Sequence, residues 1–362
     1  MKKLLVFSLA FVIIISVLLL LAGCKKECDH SYEKTVTPPT CIAAGEEKFS
    51  CTKCDHFYTA EIESTGVHDV QNGVCIACGG KKSTPGLKYS QNDDGTYTVT
   101  GIGTCTETDI VIGIYNNRDV TTIGSYAFHN CPSLTSIELS DSLTTIGNYA
   151  FNWCTSLTSI VIPEGVTTIG DYVFYNCTSL TSIEFPDSLT TIGSYAFHNC
   201  PSITSITVAE GNENYKSVDG NLYSKDGEIL IQYAIGKTAT TFAVPEGVTA
   251  IGNYAFYNCT SLTSIELPDS ITAIGNHAFY CCELLASIEF PDSLTTIDEM
   301  AFAGCISLTS IVIPEGVTTI RHDAFYYCES LTIYCEVTKR PSGWSNVWNS
   351  SFRPVVWGYT GE

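Results

Sequence analysis

Cysteine and histidine are the residues of this sequence best placed to do chemistry. Cys51-Thr-Lys-Cys54 and Cys75-Ile-Ala-Cys78 are two C-x2-C knuckles with 20 residues between them, a spacing that lets four thiolates converge tetrahedrally on zinc. Gly79-Gly80 follows the second knuckle and permits a tight turn. Cys28, His30, Cys41 and His68 make a second candidate set of ligands. In an oxidising exterior the same thiols can pair as disulfides or stay free, and residue type alone leaves zinc, disulfide and thiol open. Either staple suits residues 28–80, which hold turn formers and few aliphatic side chains and so build no core unaided. A closed four-ligand site leaves no position for substrate, so this module is expected to be structural.

The remaining cysteines follow a different rule. Phenylalanine recurs at 128, 151, 174 and 197 and again at 256, 279, 302 and 325, always 23 apart except for one step of 59. Cysteine stands three places after each Phe, from Cys131 to Cys328, and isoleucine five places before, from Ile123 to Ile320. A fixed register of apolar residues predicts a repeat solenoid in which each coil buries its face only against its neighbours. A thiol in phase with core Phe reads as a small buried hydrophobe. Neighbouring rungs also lie near disulfide distance.

Within one coil, Leu180, Ile183 and Phe185 have the L-x-x-L-x-L spacing that ends in a short strand. Val166 to Ile169 reads as a second extended piece, and Tyr172 to Asn176 as one helical turn planting Phe174 in the core, with Gly170 allowing the bend before it. The long step contains Asp226-Gly227 between apolar residues, a hairpin signal. It predicts an irregular coil over about 208–244 with a projecting hairpin, either decoration or a specificity element.

The first residues read as an address. Lys2 and Lys3 precede an apolar run to Leu21, which ends in Leu21-Ala-Gly-Cys24. This resembles the lipobox of bacterial lipoproteins, implying a signal peptide over 1–23 and a lipid anchor at 24–27, with diacylglycerol on the Cys24 thiol. An uncleaved transmembrane anchor is the alternative. Both export the rest of the chain.

Ile-Gly-x-x-Ala-Phe-x-x-Cys-x-Ser-Leu-Thr-Ser-Ile recurs eight times and resembles the BspA-like leucine-rich repeats of bacterial surface proteins. The resemblance implies a leucine-rich-repeat solenoid over 121–334 of 23-residue coils made from short strands, turns and short helices. Residues 87–120, with Thr96 to Cys105, resemble the N-terminal cap of such arrays. Residues 335–362, with Trp344, Trp348 and Pro354 to Tyr359, resemble the closing cap. Residues 28–80 are similar to short zinc-ribbon-like Cys/His modules of bacterial surface proteins, and 81–86 reads as a linker. BspA-like relatives are associated with attachment to host proteins and other cells. The resemblance therefore implies adhesion or protein binding at the cell surface.

The outward middle position of each strand runs Glu138, Val161, Glu184, Thr207, Glu266, Glu289 and Val312, with serine two places before, as at Ser136. It reads either as a solvated sheet face or as a groove for a basic protein partner or a glycan. Eighteen Lys+Arg against 38 Asp+Glu give a net charge of −20, which repels phosphate backbones and excludes a nucleic-acid partner. No nucleophile elbow, zinc-protease helix, phosphate-cradling glycine loop or EF-hand loop occurs. Thr121 to Ile137 and Thr190 to Ile206 differ at one position in seventeen, whereas an enzyme site needs unlike residues converging. The expectation is a monomeric, extracellular, lipid-anchored binding protein that is not an enzyme, with structural zinc in 28–80 as its one cofactor. A structural cell-envelope protein without a specific ligand is the alternative.

Overall fold

The computed structural model describes residues 32–37, 41, 44–51, 57–62, 64–75 and 77–361. Cys24, Cys28, His30 and Cys54 lie outside the described residues, as does the side chain of Cys51. The chain divides into two units between Gly79 and Gly80. Among the described residues no helix is long and apolar enough to cross a membrane.

In the first unit β1 (Tyr32–Thr37), β2 (Gly45–Cys51) and β3 (Phe57–Ile62) form an antiparallel sheet, with Tyr32 opposite Cys51 and Gly45 opposite Ile62. A small hairpin, β4 (Val70–Gln71) and β5 (Val74–Cys75), follows. Its two-residue loop is Asn72-Gly73, with φ of 50° and 81°. Both angles are positive, as a type I′ turn requires, and Asn and Gly tolerate them best.

The second unit is a β-solenoid. Each coil contributes a two-residue strand such as Thr168–Ile169 and a longer one such as Ser182–Phe185. Coils pair in parallel at the 23-residue register: Thr145, Thr168 and Thr191 align, as do Ser159, Ser182 and Ser205. The inward residues form the core, with Phe128, Phe151, Phe174, Phe256, Phe279, Phe302 and Phe325 fully buried. Successive Phe rings stack in parallel, for example Phe151 on Phe174 at 5.7 Å and Phe279 on Phe302 at 5.0 Å. Burying each ring contributes about 1.5–3 kcal/mol, and only the neighbouring coils supply the cover.

The expected helical turn is absent from these coils. Tyr172 to Asn176 makes consecutive turns, with Tyr172 and Asn176 at φ of 54° and 59°. The backbone amides explain why. Tyr172, Phe174 and Asn176 donate to Ser194, Ala196 and His198 of the next coil, at 2.9, 3.0 and 3.1 Å. Alternate N–H groups thus point along the stack, where a helix would have used them internally. Gly170 also has a role other than bending: a Cβ there would lie 2.5 Å from the Asn148 backbone nitrogen and 2.4 Å from its Oδ1. The glycine is required because the previous coil comes so close.

The long step is filled by an antiparallel meander, Tyr215–Val218, Asn221–Ser224 and Ile229–Gln232. The Asp226-Gly227 turn is present, with Gly227 at φ 86°. The hairpin is built into the array instead of projecting from it: Leu222, Tyr223 and Leu230 are buried, and the third strand pairs in parallel with Ala250–Ile251. Tyr233 occupies the phenylalanine register, stacking on Phe256 at 5.0 Å.

At one end of the solenoid Tyr89 stacks on Tyr115 at 3.8 Å. At the other, Trp344 and Trp348 are buried and Val355–Trp357 adds a parallel strand. Residues 81–86, read as a linker, are partly bound into the array: the Ser83 amide donates to Ile114, the Thr84 amide to Val111, and Ser83 Oγ accepts from Gly113.

Candidate functional site

The outward strand positions form a continuous face within each sheet. Glu138, Val161, Glu184, Thr207, Glu266, Glu289 and Val312 are all exposed, and Val161, Glu184 and Thr207 align in register, as do Ala243 and Glu266. Strand alternation accounts for this, since the flanking residues, such as Ile183 and Phe185, point inward. Ser136 is exposed and gives its hydroxyl to Asp109 at 2.5 Å. Glu138 is engaged too, by Lys81 at 2.7 Å. Val161, 70% exposed, is the most open apolar residue of the face.

The cysteine ladder is not a reactive site. Cys154, Cys177, Cys200, Cys282, Cys305 and Cys328 each donate an S–H to the carbonyl of the Phe one coil back, at 3.0–3.2 Å. Burial pushes the thiols of Cys154, Cys200 and Cys328 up to about 12, far from the thiolate state that reactivity needs. The exceptions follow from position. Cys131, which is half-buried, reaches only the His129 carbonyl at 3.9 Å, and Cys259 faces Ser261 at 3.8 Å beside the irregular coil. The period located these residues, but the hydrogen bond was not part of the sequence reading.

Threonine hydroxyls act similarly: Thr167, Thr190 and Thr295 donate to the carbonyls of Thr144, Thr167 and Thr272. Repetition at polar positions is therefore partly inter-coil bonding. The tyrosine stripe is also internally engaged. Tyr126, Tyr149, Tyr172 and Tyr195 stack at 4.4–4.8 Å, so their faces cover one another.

In the first unit, four ligand atoms lie within 4.8 Å of one another: one each from Cys41, His68, Cys75 and Cys78. Cys41 Sγ is 3.7 Å from Cys75 Sγ, and Cys78 Sγ is 3.4 Å from His68 Nδ1. The structure therefore joins the second knuckle to Cys41 and His68, two ligands assigned to a separate set by spacing alone. The Asn72-Gly73 hairpin explains the meeting, since it turns the chain so that Cys75 pairs with Val70, two residues after His68. The amide of Gly79 donates to the Cys75 carbonyl at 2.9 Å, closing the knuckle with Gly79 at φ 75°. Burial, followed by contact with Cys75 and Cys78, pushes the Cys41 thiol up to about 12. Burial also opposes the Cys75 thiolate, yet the backbone amides of Cys78 and Ala77, helped by His68 and Cys78, bring it down to about 6. The cluster can hold a metal.

The sequence pattern of the BspA type leucine rich repeat region matches residues 107–226 and 233–344, in six copies. The chain belongs to this family. Among solved structures, the BspA-type array is similar to a leucine-rich cell surface protein of Faecalibacterium prausnitzii, at 30% identity over 77% of this chain and 94% of that one, with a TM-score of 0.50. It is also similar to the pneumococcal vaccine antigen PcpA, at 19% identity over 82% and 99% with a TM-score of 0.49. A leucine-rich repeat protein of Eubacterium ventriosum matches at 22% identity over 77% and 95%, with a TM-score of 0.47. No curated protein matches the chain. BspA-type repeats form a binding or scaffold fold, found in bacterial cell-surface proteins.

Proposed function

We propose that this chain is a bacterial cell-surface adhesion protein, lipid-anchored through Cys24, whose solenoid binds a basic protein partner along its outward strand face. The observation that carries the reading is the set of exposed outward acids on two sheets, Glu184 in register with Val161 and Thr207, and Glu266 in register with Ala243, with Glu289 one period further on, none of them engaged in an ion pair, on a chain of net charge −20. Weak contacts repeated from coil to coil gain strength through avidity. A glycan is the poorer ligand for the tyrosine stripe, because sugars stack on ring faces and the inner rings have theirs covered. In chain order the Cys/His module lies between the anchor and the array, as a spacer stapled by structural metal.

The test is pull-down from host-cell and bacterial surface extracts. Glu184→Lys combined with Glu266→Lys should lose the basic protein retained by the wild-type chain. Asp141→Lys with Asp292→Lys, which makes the same charge change on exposed turn residues, should keep it. Unchanged retention by the first pair, or equal loss by both, overturns the assignment of the face.

A further inference from the structure

We infer that Cys41, His68, Cys75 and Cys78 together bind one zinc ion, in a closed Cys3His site that serves as the core of the N-terminal module. The inference deepens the reading of that module as a stapled spacer, and it redraws the ligand set suggested by the two C-x2-C knuckles.

Burial is the first support. Among the described residues of the first unit, the buried positions are Cys41, Gly45, His68 and Cys75. Cys41 is 7% exposed, His68 2% and Cys75 1%. Among the described residues of this unit, three of the four buried positions are thus cysteines or histidine, types that need partners for their polar atoms when buried. A metal held by such buried ligands contributes to folding directly.

The second support is the geometry of the donors. With Zn–S bonds near 2.3 Å and Zn–N bonds near 2.0 Å, a tetrahedron sets S···S edges of about 3.8 Å and N···S edges of about 3.5 Å. The chain holds Cys41 Sγ and Cys75 Sγ 3.7 Å apart, and Cys78 Sγ and His68 Nδ1 3.4 Å apart. These are two opposite edges of a four-cornered set whose remaining separations all lie within 4.8 Å.

The third support is parity. Three thiols and one imidazole converge, and a disulfide would use two thiols while leaving the third and the histidine without a purpose. One metal uses all four. Three soft sulfurs with one imidazole select zinc over magnesium or calcium, which require oxygen ligands. All four positions are filled by protein, so the site is structural.

The experiment uses the purified full chain and its variants, with zinc measured by elemental analysis and coordination read from the visible absorption of the cobalt-exchanged protein. Cys41→Ser, His68→Ala and Cys75→Ser should each remove one equivalent of metal, while Cys177→Ser in the array removes none. His68→Cys should restore the equivalent and move the cobalt spectrum toward that of a four-thiolate site. This variant keeps the test decisive if the others unfold the module. Full metal content in the Cys41, His68 and Cys75 variants, a metal-free wild-type chain, or a disulfide between Cys41 and Cys75 found by mass spectrometry would each overturn the inference. None of these results bears on the strand face, whose pull-down test stands apart.

Discussion

The two units use cysteine in opposite ways, and the difference lies in periodicity. In the array a thiol recurs every 23 residues, sits in the core and donates to a carbonyl 26 residues back, as from Cys177 to Phe151. In the N-terminal unit the thiols follow no period, and three of them converge with a histidine. Burial pushes both kinds of thiol up, but the partners differ. Cys200 faces a carbonyl acceptor and remains a thiol, pushed up to about 12. Cys75 meets backbone N–H donors, which outweigh burial and bring it down to about 6. A cysteine in phase with phenylalanine is thus a packing residue with a donor, whereas Cys41, Cys75 and Cys78, out of phase, converge with His68 in a cluster that can hold a metal. The array spreads its stability over many similar contacts, whereas in the module the described cysteines and histidine gather in one cluster.

The largest effect should come from removing a ring in the middle of the array. Phe174 lies between Phe151 and Phe197, at 5.7 and 5.9 Å, and is fully buried. Phe174→Ala should destabilise the array by about 3–5 kcal/mol, read as a lower midpoint in urea followed by circular dichroism. Metal content should stay at the wild-type level, because the module has its own staple. A loss of both would show that the two units fold as one, and an unchanged midpoint would remove the argument from ring stacking.

Much of this contrast could be read in the sequence. Phenylalanine, cysteine and isoleucine at fixed offsets gave the coil length, the inward residues and the outward column ending at Val312, because parallel stacking copies one register onto the next. Several features could not be read. Tyrosine is not a residue that signals a positive φ, yet Tyr126, Tyr149, Tyr172, Tyr195 and Tyr254 adopt 54–61°, since the inter-coil bonds and ring stack outweigh the local cost. The grouping of the cysteines and histidine was also hidden. A C-x2-C pair is local, but which residues join it is decided by the turns and strand pairings between them. The Asn72-Gly73 dipeptide was the available signal, and it places His68 near Cys75.

A smaller effect separates a bonded thiol from one that is merely present. Cys177→Ala should cost on the order of 1 kcal/mol through the lost S–H···O contact and the space left by sulfur. Cys131→Ala should stay within about 0.5 kcal/mol, because Cys131 is half-buried and has no Phe carbonyl to meet. Chemical denaturation of the two variants side by side measures the difference. Equal losses would mean that the ladder contributes only as generic apolar volume.

The smallest effect concerns pH and falls in the array alone. His198 is half-buried among Tyr175, Tyr195, Tyr254 and Tyr257, with Tyr257 at 3.7 Å and its own Nδ1 buried without a partner. Burial first, then the nearby His277, lower its ionisation to about 4 from an ordinary 6.5. The neutral ring is therefore favoured in the fold, while the unfolded chain takes up a proton as pH drops below 6.5. The contribution to stability is complete above that value and shrinks as pH falls toward 4. Solvent screening of a half-exposed group keeps the effect at about 1 kcal/mol or less. Melting temperatures at pH 7.5 and 5.5 should differ less in His198→Gln than in the wild-type chain. The pH interval lies above the range where most carboxylates titrate, and the other histidines, His277 among them, are common to both proteins, so the difference between the two slopes isolates this ring. An identical slope in both proteins would show that the tyrosines around His198 leave its proton affinity unchanged.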